Sequence, residues 1–181
     1  MKQATGEATY NPKTDGIPVK YRGMVPAHCV KFEITHYGEQ SIFNLYWRIN
    51  EEAVSIPLSI VEFDKTVGKV IQTEEAIPRQ EVIGSEHKSS TFYHPNPDEK
   101  SRWKNRDYFD LLEALGIELP QDENGNYMLA EIEEEDVLGM PALVMLDLVP
   151  NKDKDRAYQN IVKILQWEEG VRLDPSSITP F

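Results

Sequence analysis

The residues of this sequence with the clearest chemical potential are aromatic rings interleaved with cations. Phe92 and Tyr93 precede Arg102, Trp103, Lys104 and Arg106. Rings of this kind can stack on nucleobases while the cations neutralise phosphates, which is how a single nucleic-acid strand is held. A second place is Tyr46 and Arg48, with Lys31 across a turn, and a third is Lys152, Lys154 and Arg156 followed by Tyr158. Each has a plainer alternative. The second place reads equally as an ordinary solvated sheet face. In the first, Phe92 and Trp103 could pin a long loop while Arg106 pairs with helix acids. In the third, Asp153 and Asp155 permit a neutral hairpin tip.

Catalytic patterns find little support. His28, His36, His87 and His94 are scattered and form no zinc-ligand spacing. Neither a phosphate-cradling Gly-x4-Gly-Lys loop nor a Gly-x-Ser-x-Gly elbow occurs. The run Glu133, Glu134, Glu135 and Asp136 lacks an ordered ligand loop, and such acid runs are usually just hydrated. A lone cysteine, Cys29, can form no internal disulfide and is expected in the core. The expectation is a protein that is not an enzyme and needs neither cofactor nor metal.

The formal net charge is −12, which argues against a protein that coats duplex DNA by bulk attraction. Eight of the acids, with no Lys or Arg, fall in residues 118–136, while the three candidate places are basic. An anion could therefore find a basic surface, provided the acidic segment faces away from it.

Several elements must position these residues. The stretch to Pro26 is rich in Gly, Pro and Thr and reads as an arm. Val30, Phe32 and Ile34 alternate with Lys31, Glu33 and Thr35, a half-buried strand. After a Gly38-Glu39 turn, Phe43, Leu45, Trp47 and Ile49 alternate with Asn44, Tyr46 and Arg48, completing a hairpin. Val54–Val61 gives a third strand, with Pro57 favouring an edge or a bulge. Residues 62–104 read as a long excursion holding at most a small hairpin. Asn105 is expected to cap a helix carrying Tyr108, Phe109, Leu111, Leu112 and Leu115, which Gly116 stops. A turn at 122–126, a buried strand within 137–149 and a basic turn follow; in the last segment Tyr158, Ile161, Val162 and Leu165 also fit a helix, but the preceding turn and the β-branched Ile161, Val162 and Ile164 favour a strand.

Three strands, an excursion, a helix and two strands joined by a basic turn make up the order of a five-stranded OB barrel, mainly β, with one helix between strands 3 and 4. The expected organisation is an N-terminal arm over 1–26, an OB-fold domain over 27–170 and a flexible tail over 171–181. The segments YRGMVPAHCVKFEI, SIFNLYWRI, YFDLLEALGI, EEDVLGMPALVML and NIVKILQW together resemble the bacteriophage single-stranded-DNA-binding proteins encoded beside replication and recombination genes. The resemblance covers roughly residues 21–168. It implies an OB fold and protection or organisation of single strands in the host-cell cytoplasm. The chain also ends in Pro180-Phe181, like bacterial single-strand binders whose acidic tips recruit replication proteins. By that likeness Phe181 would bind partners, although Asp174 is the sole acid among the last eleven residues.

The leading expectation is therefore single-stranded DNA binding with little sequence preference, in phage replication or recombination, with no membrane association. The rival is an acidic protein-interaction module, such as a DNA mimic that fills the basic groove of a host nuclease. A metal-dependent hydrolase using the carboxylate cluster is a third alternative.

Overall fold

The computed structural model describes residues 9–11 and 18–178. It is mainly β, with seven strands paired antiparallel: β1 (Lys20–Tyr37), β2 (Gln40–Ile49), β3 (Pro57–Asp64), β4 (Lys69–Pro78), β5 (Glu86–Tyr93), β6 (Pro141–Pro150) and β7 (Ala157–Leu165). Two α-helices, α1 (Arg106–Ala114) and the single turn α2 (Glu134–Val137), lie between β5 and β6. The long β1 organises everything: it pairs with β3 at Lys20–Arg22, with β6 at Gly23–His28 and with β2 at Ala27–Tyr37. β5 adds to β2 and β7 to β6. The sheet is not closed into a barrel, because β5 and β7 share no backbone pairing among the described residues. Pro57 opens β3 at its first position, where the missing N–H breaks no ladder.

The expected five strands and single helix thus become seven and two. Both additional strands come from the segment read as an excursion. β4 is exposed along nearly its whole length, so no buried face imposes alternation on its sequence. β5 turns Ser89, Thr91 and Tyr93 inward, and Ser and Thr do not announce a core. Ser89 is there because Trp47 needs a partner: its indole Nε1–H donates to Ser89 Oγ at 2.9 Å in the buried interior. The core lies between the curled sheet and α1. It comprises Val25, Phe43, Leu45, Trp47 and Val144 from the strands with Tyr108, Leu112 and Leu115 from the α1 region, and Cys29 is inside it. Burial pushes the Cys29 thiol up to about 12.

Two amide side chains act as miniature strands. Gln159 accepts from the Tyr21 N–H through Oε1 and donates to the Tyr21 carbonyl through Nε2, both at 2.8 Å. Asn105 does the same to His94, at 2.8 and 2.9 Å. This corrects the expectation for Asn105: it occupies the position before α1 but makes no side-chain cap bond to the helix. Its amide is spent on the loop that precedes the helix.

The ends of the domain also differ from expectation. β1 starts at Lys20, so the sheet begins inside the segment read as an arm. Residues 171–173, within the segment read as a flexible tail over 171–181, bond to β1 and to the residues just ahead of β6. His28 Nε2 donates to the Val171 carbonyl at 2.9 Å, Arg172 donates to the Leu138 and Glu135 carbonyls, and the Leu173 N–H donates to Gly139 O at 2.9 Å. Gly139 permits this close approach: its φ is +80°, and a Cβ there would stand 2.2 Å from Leu173 O.

Candidate nucleic-acid interface

Register decides which side chains share the outer face of β1, β2 and β5. From Tyr37↔Gln40 to Lys31↔Tyr46 the β1–β2 ladder is regular, and then it skips Val30, so that Cys29 pairs with Trp47. Without this bulge, Lys31 would oppose Leu45 and point into the core. With it, Lys31, Tyr46 and Lys88 form one row across three strands; Arg48 pairs with Glu86, Asn44 with Glu33 and Ser90, and Ile42 with Phe92. Lys31, Tyr46, Arg48 and Phe92, expected at two separate places, are thus brought onto one face. Lys88 joins them unexpectedly, because β5 was not legible as a strand.

The contacts on this face are weak, exchangeable ones. Lys31 Nζ sits 5.0 Å from the Tyr46 ring centroid and 3.1 Å from Glu33 Oε1. The Tyr46 hydroxyl donates to Glu33 Oε2 at 3.1 Å. Hydrogen bonding from Lys31, then from Tyr46, holds the Glu33 carboxyl below its ordinary range. Arg48 Nη2 lies 2.8 Å from Glu86 Oε1. Solvent-accessible ion pairs of this kind contribute about 0–1 kcal/mol each, against roughly 1–3 kcal/mol for a base stacked on an aromatic ring. Phe92, 48% exposed, ends the face.

Tyr93 is corrected. It is 8% exposed, pairs with Ser41 on the core side, and its ring lies 4.5 Å from that of Tyr108 and 5.9 Å from that of Phe43. It can stack on nothing outside the protein. Alternation assigns adjacent strand residues to opposite faces, so Phe92 outward requires Tyr93 inward.

Beyond Phe92 the chain turns into the 94–105 loop, fastened by the Asn105 clasp. Trp103 is 72% exposed there, and Arg102, Lys104 and Arg106 are exposed beside it. Trp103, Arg102, Arg106 and His94 line an open groove of about 540 Å³ whose opposite wall includes Asp122 and Tyr127. Tyr127 packs on Phe109 with ring centroids 5.0 Å apart. The acidic segment therefore does not turn away as a whole. Its 122–127 turn meets the basic loop, and the Asp122 carboxyl is lowered, first by the Asn126 N–H and further by the charge of Arg102. Farther on, buried Tyr108 fixes the same segment: its hydroxyl donates to the Ala130 carbonyl and accepts from the Ile132 N–H at 3.0 Å.

The third place, the β6–β7 turn, stands apart. It lies at the Lys20 end of β1, whereas Lys31 occupies the half that pairs with β2. Asn151 Oδ1 accepts from the Asp155 and Arg156 N–H groups, both at 3.1 Å, which folds the tip and leaves Lys152, Lys154 and Arg156 exposed. Tyr158 is exposed on the outer face of β7. The tip of the β3–β4 hairpin meets this turn: a Cβ at Gly68 would lie 3.3 Å from Lys154 Cβ. The Asn151 side-chain hydrogen bond, and after it the charges of Arg156 and Lys65, hold the Asp155 carboxyl below its ordinary range. Lys65 thus augments the basic turn, and only the contact between two hairpins reveals it. Phe181 lies outside the described residues, and no cluster of His, Cys, Asp and Glu among the described residues could hold a metal. The chain matches no protein-family model and no curated protein sequence.

Proposed function

We propose that this chain is a non-enzymatic protein that binds single-stranded DNA with little sequence preference, on an OB-type barrel left open along one seam. Five strands support that fold reading: β1, β2 and β5 precede helix α1, while β6 and β7 follow it and return to β1. The β3–β4 hairpin is then an insertion between the second and third barrel strands. OB barrels bind strands across their second and third strands, here β2 and β5.

One observation carries the functional reading: Lys31, Tyr46, Arg48, Lys88 and Phe92 share a single three-strand face that leads directly into the Trp103 loop. Bases stack on Tyr46, Phe92 and Trp103. Phosphates take Lys31 and Arg48 from their carboxylates and meet Arg102, Lys104 and Arg106 beyond. Lys152, Lys154 and Arg156 engage the strand where it runs along β1. The role in phage replication or recombination, the host cytoplasm and partner recruitment through Phe181 follow from the sequence resemblance and belong to the same proposal.

Tryptophan fluorescence tests it. Trp47 is buried and Trp167 half-buried, so Trp103 is the ring most open to a ligand. Oligo-dT is expected to quench emission at low salt, and Trp103→Phe to remove most of the change. An emission unchanged by oligo-dT would overturn the reading.

A further inference from the structure

The groove beside Trp103 has a second wall, and that wall is built from the acidic segment. Residues 120–128 form a small hairpin: Gln121 pairs with Tyr127, the Met128 N–H donates to the Pro120 carbonyl, and the Asp122 N–H donates to the Asn126 carbonyl, both at 2.8 Å. Inside the turn Asp122 Oδ1 accepts from the Asn124 and Asn126 N–H groups at 2.8 and 2.9 Å. The hairpin is thus held by its own bonds and stands ready-formed beside the groove.

Both walls rest on α1. Trp103 lies three residues ahead of the helix, and its carbonyl accepts the N–H of Arg106, the first helical residue. Tyr127 lies on Phe109, in the first turn, with ring centroids 5.0 Å apart, yet it stays 49% exposed. Two exposed rings therefore line one groove of about 540 Å³, within the roughly 300–1,000 Å³ that small-ligand sites occupy. Such a slot suits a flat ring with polar edges.

The charges orient what enters. Arg102 and Arg106 belong to the Trp103 wall, whereas Asp122 lines the other and Glu123 follows it in the turn. A phosphodiester is attracted to the first wall and repelled by the second. A strand in the groove must lay its backbone along 102–106 and turn its base toward Tyr127.

Given the single-strand reading on which this rests, we propose that the 120–128 hairpin is a second jaw of the DNA site. One base of a bound strand enters between Trp103 and Tyr127, with its phosphate on Arg102 and Arg106. The slot tolerates any sequence, because every base has a face to stack. The most acidic part of the chain then touches the ligand through a neutral ring, while its carboxylates keep the backbone on the opposite wall.

The test compares two labelled ten-nucleotide strands, oligo-dT and a fully abasic phosphodiester, each titrated with the full chain at low salt. Tyr127→Ala is expected to weaken oligo-dT binding at least about fivefold, the loss of one stacking ring, and to leave the abasic strand unaffected. Tyr127→Leu keeps an apolar contact with Phe109 but offers no stacking face, so it should behave like Tyr127→Ala; Tyr127→Phe restores the ring and should recover the affinity. Combining Trp103→Ala with Tyr127→Ala should cost less than the product of the two separate losses, because both rings hold the same base. Oligo-dT affinity unmoved by Tyr127→Ala and Tyr127→Leu, equal weakening of both strands, or losses that simply multiply would each overturn the inference while leaving the DNA reading standing. Failure of the parent chain to bind oligo-dT would overturn both.

Discussion

Lys31 Nζ lies 5.0 Å from the centroid of the Tyr46 ring on the neighbouring strand, and the bulge at Val30 is what puts it there. The cation marks the ring as facing outward, and Glu33, bonded to both, is the group that a phosphate would have to displace under the proposed function.

Replacing Tyr46 by Ala is therefore expected to weaken oligo-dT binding by about 1–3 kcal/mol, the worth of one stacked base. Glu33→Gln should act the opposite way, since it removes the competing carboxylate while keeping an acceptor for the Tyr46 hydroxyl. Both effects are read by anisotropy, with thermal unfolding as the control: Tyr46 faces outward, so its loss should move the midpoint little. An affinity unmoved by either change would separate this face from the binding site.

Asn105 separates positioning from contact. Its amide is buried and satisfies both backbone groups of His94. Asn105→Ala leaves those groups without their partner, at a cost of roughly 1–3 kcal/mol each where they stay dry. Stability and DNA affinity should fall together. Trp103→Ala, at an exposed position, should lower affinity alone. Paired urea melts and DNA titrations on the two variants make the comparison.

Tyr108→Phe removes one hydroxyl that serves two backbone groups, Ala130 O and Ile132 N. Destabilisation of about 1–3 kcal/mol is expected. Hydrogen exchange should quicken in 128–134 before the sheet is affected, because the hydroxyl fastens the acidic segment rather than a strand. Uniform loss of protection across the protein would contradict that assignment.

His87 gives the domain an acid sensitivity. Burial, aided by the charge of Lys20, holds its imidazole below the ordinary histidine value. The unfolded chain takes up a proton near pH 6.5 that the folded state resists, so the unfolded state binds more protons in that window. The stability it contributes is complete above about pH 6.5 and is lost as pH falls through the lower folded-state value. Urea midpoints at pH 7.5 and 5.5 should differ in the parent and differ less in His87→Gln. An equal drop in both would assign the acid sensitivity to other groups.

Each element with a strong signal could be read from sequence: the β1–β2 hairpin from its alternation, α1 from its helical spacing and its stop before Gly116, β6 from its apolar run, and β7 from its β-branched residues against a competing helical period. β4 could not, since a strand exposed along its length has no buried face to impose a pattern. β5 could not, since its inward positions are Ser89 and Thr91. Missing β5 hid Lys88 and put Tyr93 among the stacking rings, although it faces the core. Lys65 needed knowledge that two hairpin tips touch, which is tertiary information. Asn105 was read from its place before a helix, yet its side chain serves a backbone eleven residues away, a choice local propensity does not encode.

The most direct measurement of the central claim is anisotropy of a labelled oligo-dT titrated with the full chain at low and high salt, with duplex of equal length as competitor. The account requires binding that weakens steeply with salt, because phosphates exchange counterions for Lys and Arg, and that duplex displaces poorly. No binding at low salt, or duplex competing as well as single strand, would contradict it.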